Sequence, residues 1–177
     1  HGGNFQTIKA FQLMWLTLSR PNESVQAEWK EFDLENSLWT IPARRMKARR
    51  EHVVSLPTQA LELLKAMLPI TGHTRFVFPN RDDRQRPMAD AALRQALKKL
   101  GWATKYSPHG TRTTGSTRLN EMGYRPDAIE AQLAHAEPNS VRRTYNHATY
   151  LDERRTMMQD WANRLDQWKS TLARGAV

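Results

Sequence analysis

The run Pro108-His109-Gly110-Thr111-Arg112 sets a histidine and an arginine three positions apart at the start of a helix, on neighbouring positions of one face. Backbone N–H groups and the positive end of the helix dipole favour a phosphate there. Arginine grips two phosphate oxygens at once, and histidine donates or carries a proton near neutral pH. A second group is Leu133-Ala134-His135, followed by Arg142-Arg143-Thr144-Tyr145, where a phenol hydroxyl is available to attack phosphorus. A third is Ser19-Arg20-Pro21-Asn22-Glu23. An arginine at a helix junction between apolar segments must meet an anion or carbonyls, because burying it unpaired costs several kcal/mol. Glu23 either forms a structural ion pair with Arg20 or orients it on a phosphate. The fourth group, Arg44-Arg45-Met46-Lys47-Ala48-Arg49-Arg50, is a basic connection suited to a nucleic-acid backbone. No group is persuasive by itself, and for the histidines and the tyrosine the structural reading is the better one: surface charge, a histidine satisfying carbonyls, a core tyrosine, a solvated loop.

The elements that position these residues are mostly helical. Ile8, Phe11, Leu13, Met14 and Leu16 suit a buried helix from Thr7 to Thr17, and Pro21 opens a short one through Trp29. Glu31 to Leu34, Leu38 to Ile41 and His52 to Leu56 read as three short antiparallel strands, with the basic stretch joining the last two. Thr58 is expected to cap a helix burying Ala60, Leu61, Leu63, Leu64 and Met67. Phe76-Val77-Phe78 is a short strand or buried segment. Further helices are expected at Asp90 to Leu100, Pro108 to Glu121, Asp127 to Leu133, Asn139 to His147 and Asp152 to Ser170. Gly101 and Gly123 serve as stops. The fold class is therefore mainly α with a small antiparallel β-sheet, in one domain over residues 1–177.

The whole chain sets the partner class. A formal charge of +9 and a pI near 10.2 favour polyphosphate, which a basic surface binds by releasing counterions. There is no cysteine, which excludes disulfides, thiolate chemistry and Cys-based metal sites. No apolar run is long enough to cross a bilayer, so no membrane partner is expected. The chain opens with His1-Gly2-Gly3 rather than Met, and is read as a fragment with an upstream part elsewhere.

Taken together and in order, Arg20, Lys47 in a basic hairpin, His109-x-x-Arg112, Leu-Ala-His135 and Tyr145 resemble the Arg–Lys–His-x-x-Arg–His–Tyr series of the tyrosine recombinases, or phage integrases. Within that family the likeness is to integrases of prophages and genomic islands. It extends through Trp39-Thr40-Ile41-Pro42-Ala43 with Arg45-Met46-Lys47, Val77-Phe78-Pro79, and Tyr150-Leu151-Asp152-Glu153-Arg154-Arg155. It runs from Thr7 to Trp168. Two features depart from the family pattern. Leu18 and Asn22 stand where glycines are usual around the first arginine, and the interval from His135 to Tyr145 is one residue longer than in many relatives. Tyr145, which precedes Asn146-His147, is taken as nucleophile and Tyr150 as the reserve.

The resemblance implies a catalytic domain that cleaves and rejoins DNA through a 3′-phosphotyrosine without metal, cofactor or ATP. It implies roles for Arg20 and Arg112 on the scissile phosphate, supported by Glu23. His109 would handle the nucleophile's proton, His135 would bond the phosphate, and Lys47 would protonate the leaving 5′ oxygen. Arg44, Arg45, Arg49 and Arg50 are expected on DNA. Upstream core-binding and arm-binding domains, a homotetramer on double-stranded attachment sites, an accessory directionality factor and a cytoplasmic, nucleoid-associated location in bacteria follow as family expectations. The C-terminal stripe Met157, Met158, Trp161, Leu165 and Trp168 packs either in its own domain or in trans across that tetramer. Two rivals remain: a type IB topoisomerase-like enzyme, and a non-catalytic basic DNA-binding remnant. A metal-dependent nuclease fits poorly, since no carboxylates cluster at these motifs.

Overall fold

The computed structural model describes residues 5–135 and 150–174. Its axis is α1 (Phe5–Thr17), which buries Ala10, Leu13, Met14 and Leu16. The expected second helix divides into α2 (Pro21–Val25) and a 3₁₀ turn at Trp29–Glu31. The stretch between them turns extended, because Glu28 pairs with Phe76, Val77 N–H donates to the Ala27 carbonyl and Trp29 N–H to that of Arg75. That tertiary pairing overrides the local helical preference.

The sheet is β1 (Phe32–Asp33), β2 (Leu38–Ile41) and β3 (His52–Ser55), in that order and antiparallel. Trp39 lies opposite Val54, and Ile41 opposite His52. Inward positions alternate, so Trp39 and Ile41 on β2 and His52 and Val54 on β3 are buried. Next come α3 (Thr58–Thr71), α4 (Ala92–Lys99), α5 (Gly110–Glu121), α6 (Pro126–Gln132) and α7 (Leu151–Arg174). Thr58 is the first helical residue rather than the cap, which is Pro57. Its hydroxyl instead donates to Gln159 Oε1 at 3.0 Å, tying α3 to α7. The helix expected over Asn139 to His147, and Tyr145 within it, lie outside the described residues.

Two apolar cores lie along α1. The larger joins Leu13 and Met14 to Trp39, Ile41, Leu63, Leu64, Met67, Phe78 and Leu93. The smaller is built from Leu18, Leu119, Ala128, Ile129, Leu133, Met157, Met158 and Trp161. Each fully buried Leu, Ile, Met or Phe contributes about 1.5–3 kcal/mol against exposure. Trp161 stacks near Trp15 and donates its indole N–H to the Trp15 carbonyl at 2.7 Å, joining α7 to α1. Met157, Met158 and Trp161 are thus fully buried within their own domain, and Leu165 and Trp168 pack on the same core. Of the two arrangements open for the stripe, the single chain shows packing within its own domain, complete at Met157, Met158 and Trp161 and partial at Leu165 and Trp168. Among the described residues no helix is long and apolar enough to cross a membrane.

Candidate active site

The junction of α1 and α2 creates the site's first half. Leu18 takes a left-handed backbone (φ 53), ending α1 and turning the chain, and extended Arg20 precedes Pro21 at the first turn of α2. The hydroxyls of Thr17, Ser19 and Ser24 form a buried chain, 2.9 and 2.5 Å apart. Glu23, at the third position of α2, accepts from the Arg20 amide at 2.7 Å and from its Nη1 at 2.8 Å. One carboxylate therefore caps α2 and aims the arginine. Its side chain is 4% exposed while that of Arg20 is 23% exposed, so the arginine reaches from a buried anchor toward solvent.

The second half comes from α5 and α6. Arg112, on the first turn of α5, is buried. Its Nη1 donates to the Leu18 carbonyl at 2.6 Å and its Nη2 to the Leu133 carbonyl. Arg20 Nη2 reaches the next carbonyl, that of Ala134, at 3.3 Å. The two arginines thereby satisfy consecutive carbonyls at the end of α6, where the helix dipole is negative. Burial first, and then the neighbouring Arg20 cation, push the Arg112 guanidinium down to about 10, so it stays charged at neutral pH. Only Arg20 bonds a carboxylate, that of Glu23, while Arg112 is met by backbone carbonyls, which leaves a positive centre. Each Nη retains a second hydrogen and each Nε its own, so the pair has donors left for an oxyanion.

Ala134 is also left-handed (φ 49), which turns His135 away from the end of α6. His135 is exposed, with Nδ1 at 2.6 Å from Glu130 Oε2 on α6, leaving Nε2 for another partner. His109 stands exposed immediately before α5, and its carbonyl accepts the Arg112 amide. The structure thus gathers Arg20, Glu23 and Arg112, sets His135 one residue beyond the Ala134 carbonyl that Arg20 bonds, and puts His109 on the same helix start as Arg112. Lys47 is exposed on the turn joining β2 to β3 and contacts none of them.

The basic turn divides unexpectedly. Arg49 and Arg50 are exposed, and Arg44 is half exposed, paired with Glu28 at 3.1 Å. Arg45, expected on DNA with them, is instead packed inward. Its side chain is 9% exposed, bonded to the Glu31 carboxylate and, at 2.6 Å, to the Glu23 carbonyl. The buried Glu31 carboxylate needs a cation, and it holds Arg45 inward while Arg49 and Arg50 stay in solvent. Glu28, similarly buried, meets Arg75, Lys30 and Arg44. The Arg75 bond, above all, holds its carboxyl down at about 2 despite desolvation.

Sequence reading missed a buried polar hub behind the arginines. Gln132 Nε2 donates to the Thr17 carbonyl at 2.9 Å, while its Oε1 accepts from Arg154 Nε at 3.0 Å and Nη2 at 2.9 Å. Arg154 also bonds the Val53 carbonyl, and His52 Nε2 lies 3.1 Å from the Gln132 carbonyl. Burial, and then Arg154, push the His52 imidazole down to about 3. Burial brings Arg154 to about 10. The hub ties α1, β3, α6 and α7 together just behind Leu18 and Leu133. A signal existed: Arg154 sits three and four positions before Met157 and Met158 on an apolar face, and His52 falls on the inward alternation of β3. Glu130, the partner of His135, carried no such mark. Among the described residues no three His, Asp or Glu side chains converge as a metal site.

The family model described as Phage integrase family matches residues 4–151. The chain is 47% identical over 152 residues to prophage integrase IntA of Escherichia coli (strain K12), covering 85% of this chain and 37% of that protein. Against prophage integrase IntZ of the same strain it is 45% identical over 165 residues, covering 93% of this chain and 40% of that protein. The chain therefore spans well under half the length of these curated relatives. In three dimensions it resembles an integrase from mycobacterium phage Brujita, with a TM-score of 0.69 at 18% identity, covering 90% of this chain and 52% of that one. It also resembles the Tn1549 transposon integrase solved with circular intermediate DNA, with a TM-score of 0.54 at 18% identity, covering 86% and 57%.

Proposed function

The chain belongs to the phage integrase family, and from that premise we propose that it is the catalytic domain of a site-specific recombinase that integrates and excises a prophage or genomic island. The observation that carries this is the Arg20–Arg112 pair, held on consecutive carbonyls of α6 and left with a net positive charge. A phosphodiester in the pair would place its nonbridging oxygens on guanidinium donors that bind the transition state more tightly than the ground state. Losing one such donor would cost about 3 kcal/mol of transition-state stabilisation.

The phenol oxygen of Tyr145 would attack phosphorus and form the O–P bond as the P–O5′ bond breaks. Its proton leaves toward His109, and the departing 5′ oxygen takes one from Lys47, whose flexible stem suits that role. His135, oriented by Glu130, would bond the phosphate. The product is a 3′-phosphotyrosine with a free 5′-hydroxyl, and attack by a 5′-hydroxyl of another strand reverses the step. Arg49, Arg50 and the solvent side of Arg44 would contact the DNA backbone. The double-stranded attachment site, upstream core-binding and arm-binding domains, a homotetramer, a directionality factor and action at the bacterial nucleoid in the cytoplasm complete the reading. Support for Tyr145 over Tyr150 comes from the latter's surroundings. The Tyr150 ring packs on the smaller core beneath Arg125, which donates to its hydroxyl at 3.4 Å.

The test is covalent trapping. The intact protein carrying this sequence is incubated in EDTA with a nicked attachment-site duplex, so that the cleaved piece diffuses away. Denaturing gels are expected to show an adduct with wild type and Tyr150→Phe and none with Tyr145→Phe. Loss only in Tyr150→Phe would move the nucleophile. No adduct at all, despite firm DNA binding, would leave a binding remnant. Relaxation of supercoiled DNA without strand exchange between paired sites would favour the topoisomerase-like reading.

A further inference from the structure

Lys47 is exposed and its side chain makes no hydrogen bond or ion pair among the described residues, so its place relative to Arg20 is set by the backbone of its turn. That turn has two anchors immediately before Lys47. Met46 is 4% exposed and belongs to the larger core. Arg45 ends the 3₁₀ turn Ala43–Arg45 and reaches inward, with Nη1 on the Glu31 carboxylate and Nη2 on the Glu23 carbonyl. Glu31 is itself immobilised, its Oε2 also accepting from Trp39 Nε1 at 3.1 Å and the Glu28 amide at 3.3 Å. Glu23 is the residue whose carboxylate aims Arg20. One buried guanidinium thus bridges the segment that holds the phosphate-binding arginine and the turn that presents the lysine. Arginine's planar fork serves both partners at once, which a lysine ammonium on a single stem cannot reproduce with the same geometry.

We propose that Arg45 is a positioning residue for leaving-group protonation, fixing Lys47 relative to the Arg20 clamp. The inference rests on the recombinase reading and on Lys47 as general acid. It separates Arg45 from Arg44, Arg49 and Arg50, whose exposure suits long-range attraction of DNA.

The test replaces the bridging 5′ oxygen of the scissile phosphate by sulfur. Tyrosine attack then forms the same O–P bond while the P–S bond breaks, and a thiolate departs with the electron pair. A thiol has a pKa of about 8.5, so this leaving group needs no proton. Cleavage rates of the intact protein are compared on nicked oxygen and sulfur duplexes for wild type, Arg45→Lys, Arg45→Met and Lys47→Ala, with thermal unfolding of each. A general acid contributes roughly 10²–10⁴-fold. On the oxygen duplex Arg45→Lys is expected to lose at least about 10-fold of that, and on the sulfur duplex to return within about 3-fold of wild type, as Lys47→Ala does. An Arg45→Lys protein that shows no loss, or equal loss on both duplexes with or without a lowered melting temperature, overturns the proposal. If Lys47→Ala is rescued while Arg45→Lys is not, only the role of Arg45 falls. If wild type forms no adduct, or Lys47→Ala is equally slow on both, the underlying reading fails and takes the proposal with it.

Discussion

Gly115 tests whether the two halves of the site are mechanically one. It lies mid-helix in α5, where glycine is ordinarily about 1 kcal/mol worse than alanine, so Gly115→Ala should stabilise an unobstructed position. This position is obstructed. An added methyl would stand 2.7 Å from Leu18 Cδ1 and 3.1 Å from Cγ, with Cδ2 closer still. Cδ1 would have to retreat by roughly 0.7 Å to reach ordinary contact. Leu18 has no free space to take, being 0% exposed in the smaller core on a backbone already at φ 53. Overpacking of this kind costs 1–3 kcal/mol, and obstruction of both methyls and the branch carbon points to the upper end, about 3 kcal/mol. Subtracting the helical gain leaves a net loss of about 2 kcal/mol, a fall of about 4–8 °C in melting temperature for a chain of this size. The Leu18 carbonyl carries Arg112, so strain there also disturbs the guanidinium pair, and covalent trapping should fall beyond what stability explains. Leu18→Ala should cost about 2–5 kcal/mol alone, but the double variant should recover about 1–2 kcal/mol relative to the sum, because each change makes room for the other. Denaturant unfolding of the four proteins measures the cycle. Gly115→Ala as stable as wild type, or strict additivity with Leu18→Ala, would refute the reasoning.

His52 makes stability depend on pH. Its folded value of about 3 lies below the ordinary 6.5, so between these limits the unfolded chain binds a proton that the folded chain refuses. Stability is therefore fully present above about pH 6.5 and declines as pH falls. The loss reaches about 2 kcal/mol at pH 5, and His52→Asn should flatten the curve of denaturation midpoint against pH over that range. On DNA, Arg49→Ala with Arg50→Ala should reduce the slope of log affinity against log salt by about 2, one phosphate contact each, without altering sequence discrimination. Anisotropy titrations at several salt concentrations measure it, and an unchanged slope would remove this turn from the interface.

The architecture was legible where a local pattern had one answer. The spacing of Leu13, Met14 and Leu16 and the stripe through Trp161 each describe a face that must be buried, and the structure buries them, whereas Ile8, near the start of the first helix, is 38% exposed. The site residues were legible only as an ordered set: Arg20, Lys47, His109-x-x-Arg112, His135 and Tyr145 point to phosphate chemistry together, and none of them does so alone. What went wrong was local as well. Thr58 has the chemistry of a cap, yet Gln159, a hundred residues on, claims its hydroxyl. The second helix stops early because residues 27–29 pair with residues 75–77.

Sequence by itself therefore determined the helical character and the family, and pointed to the proposed phosphate chemistry. The tertiary structure decided which cations are free to do that chemistry. Arg44, Arg45, Arg49 and Arg50 are alike as letters, but the buried Glu31 carboxylate and the Glu23 carbonyl hold Arg45 inward, while Arg49 and Arg50 stay in solvent. Arg154 reads as one more basic residue near the C-terminal end, yet it is buried on Gln132 and the Val53 carbonyl. The reason is physical. The free energy of a charge is set by the dielectric and the partners around it, and those partners come from strands and helices far apart in the chain.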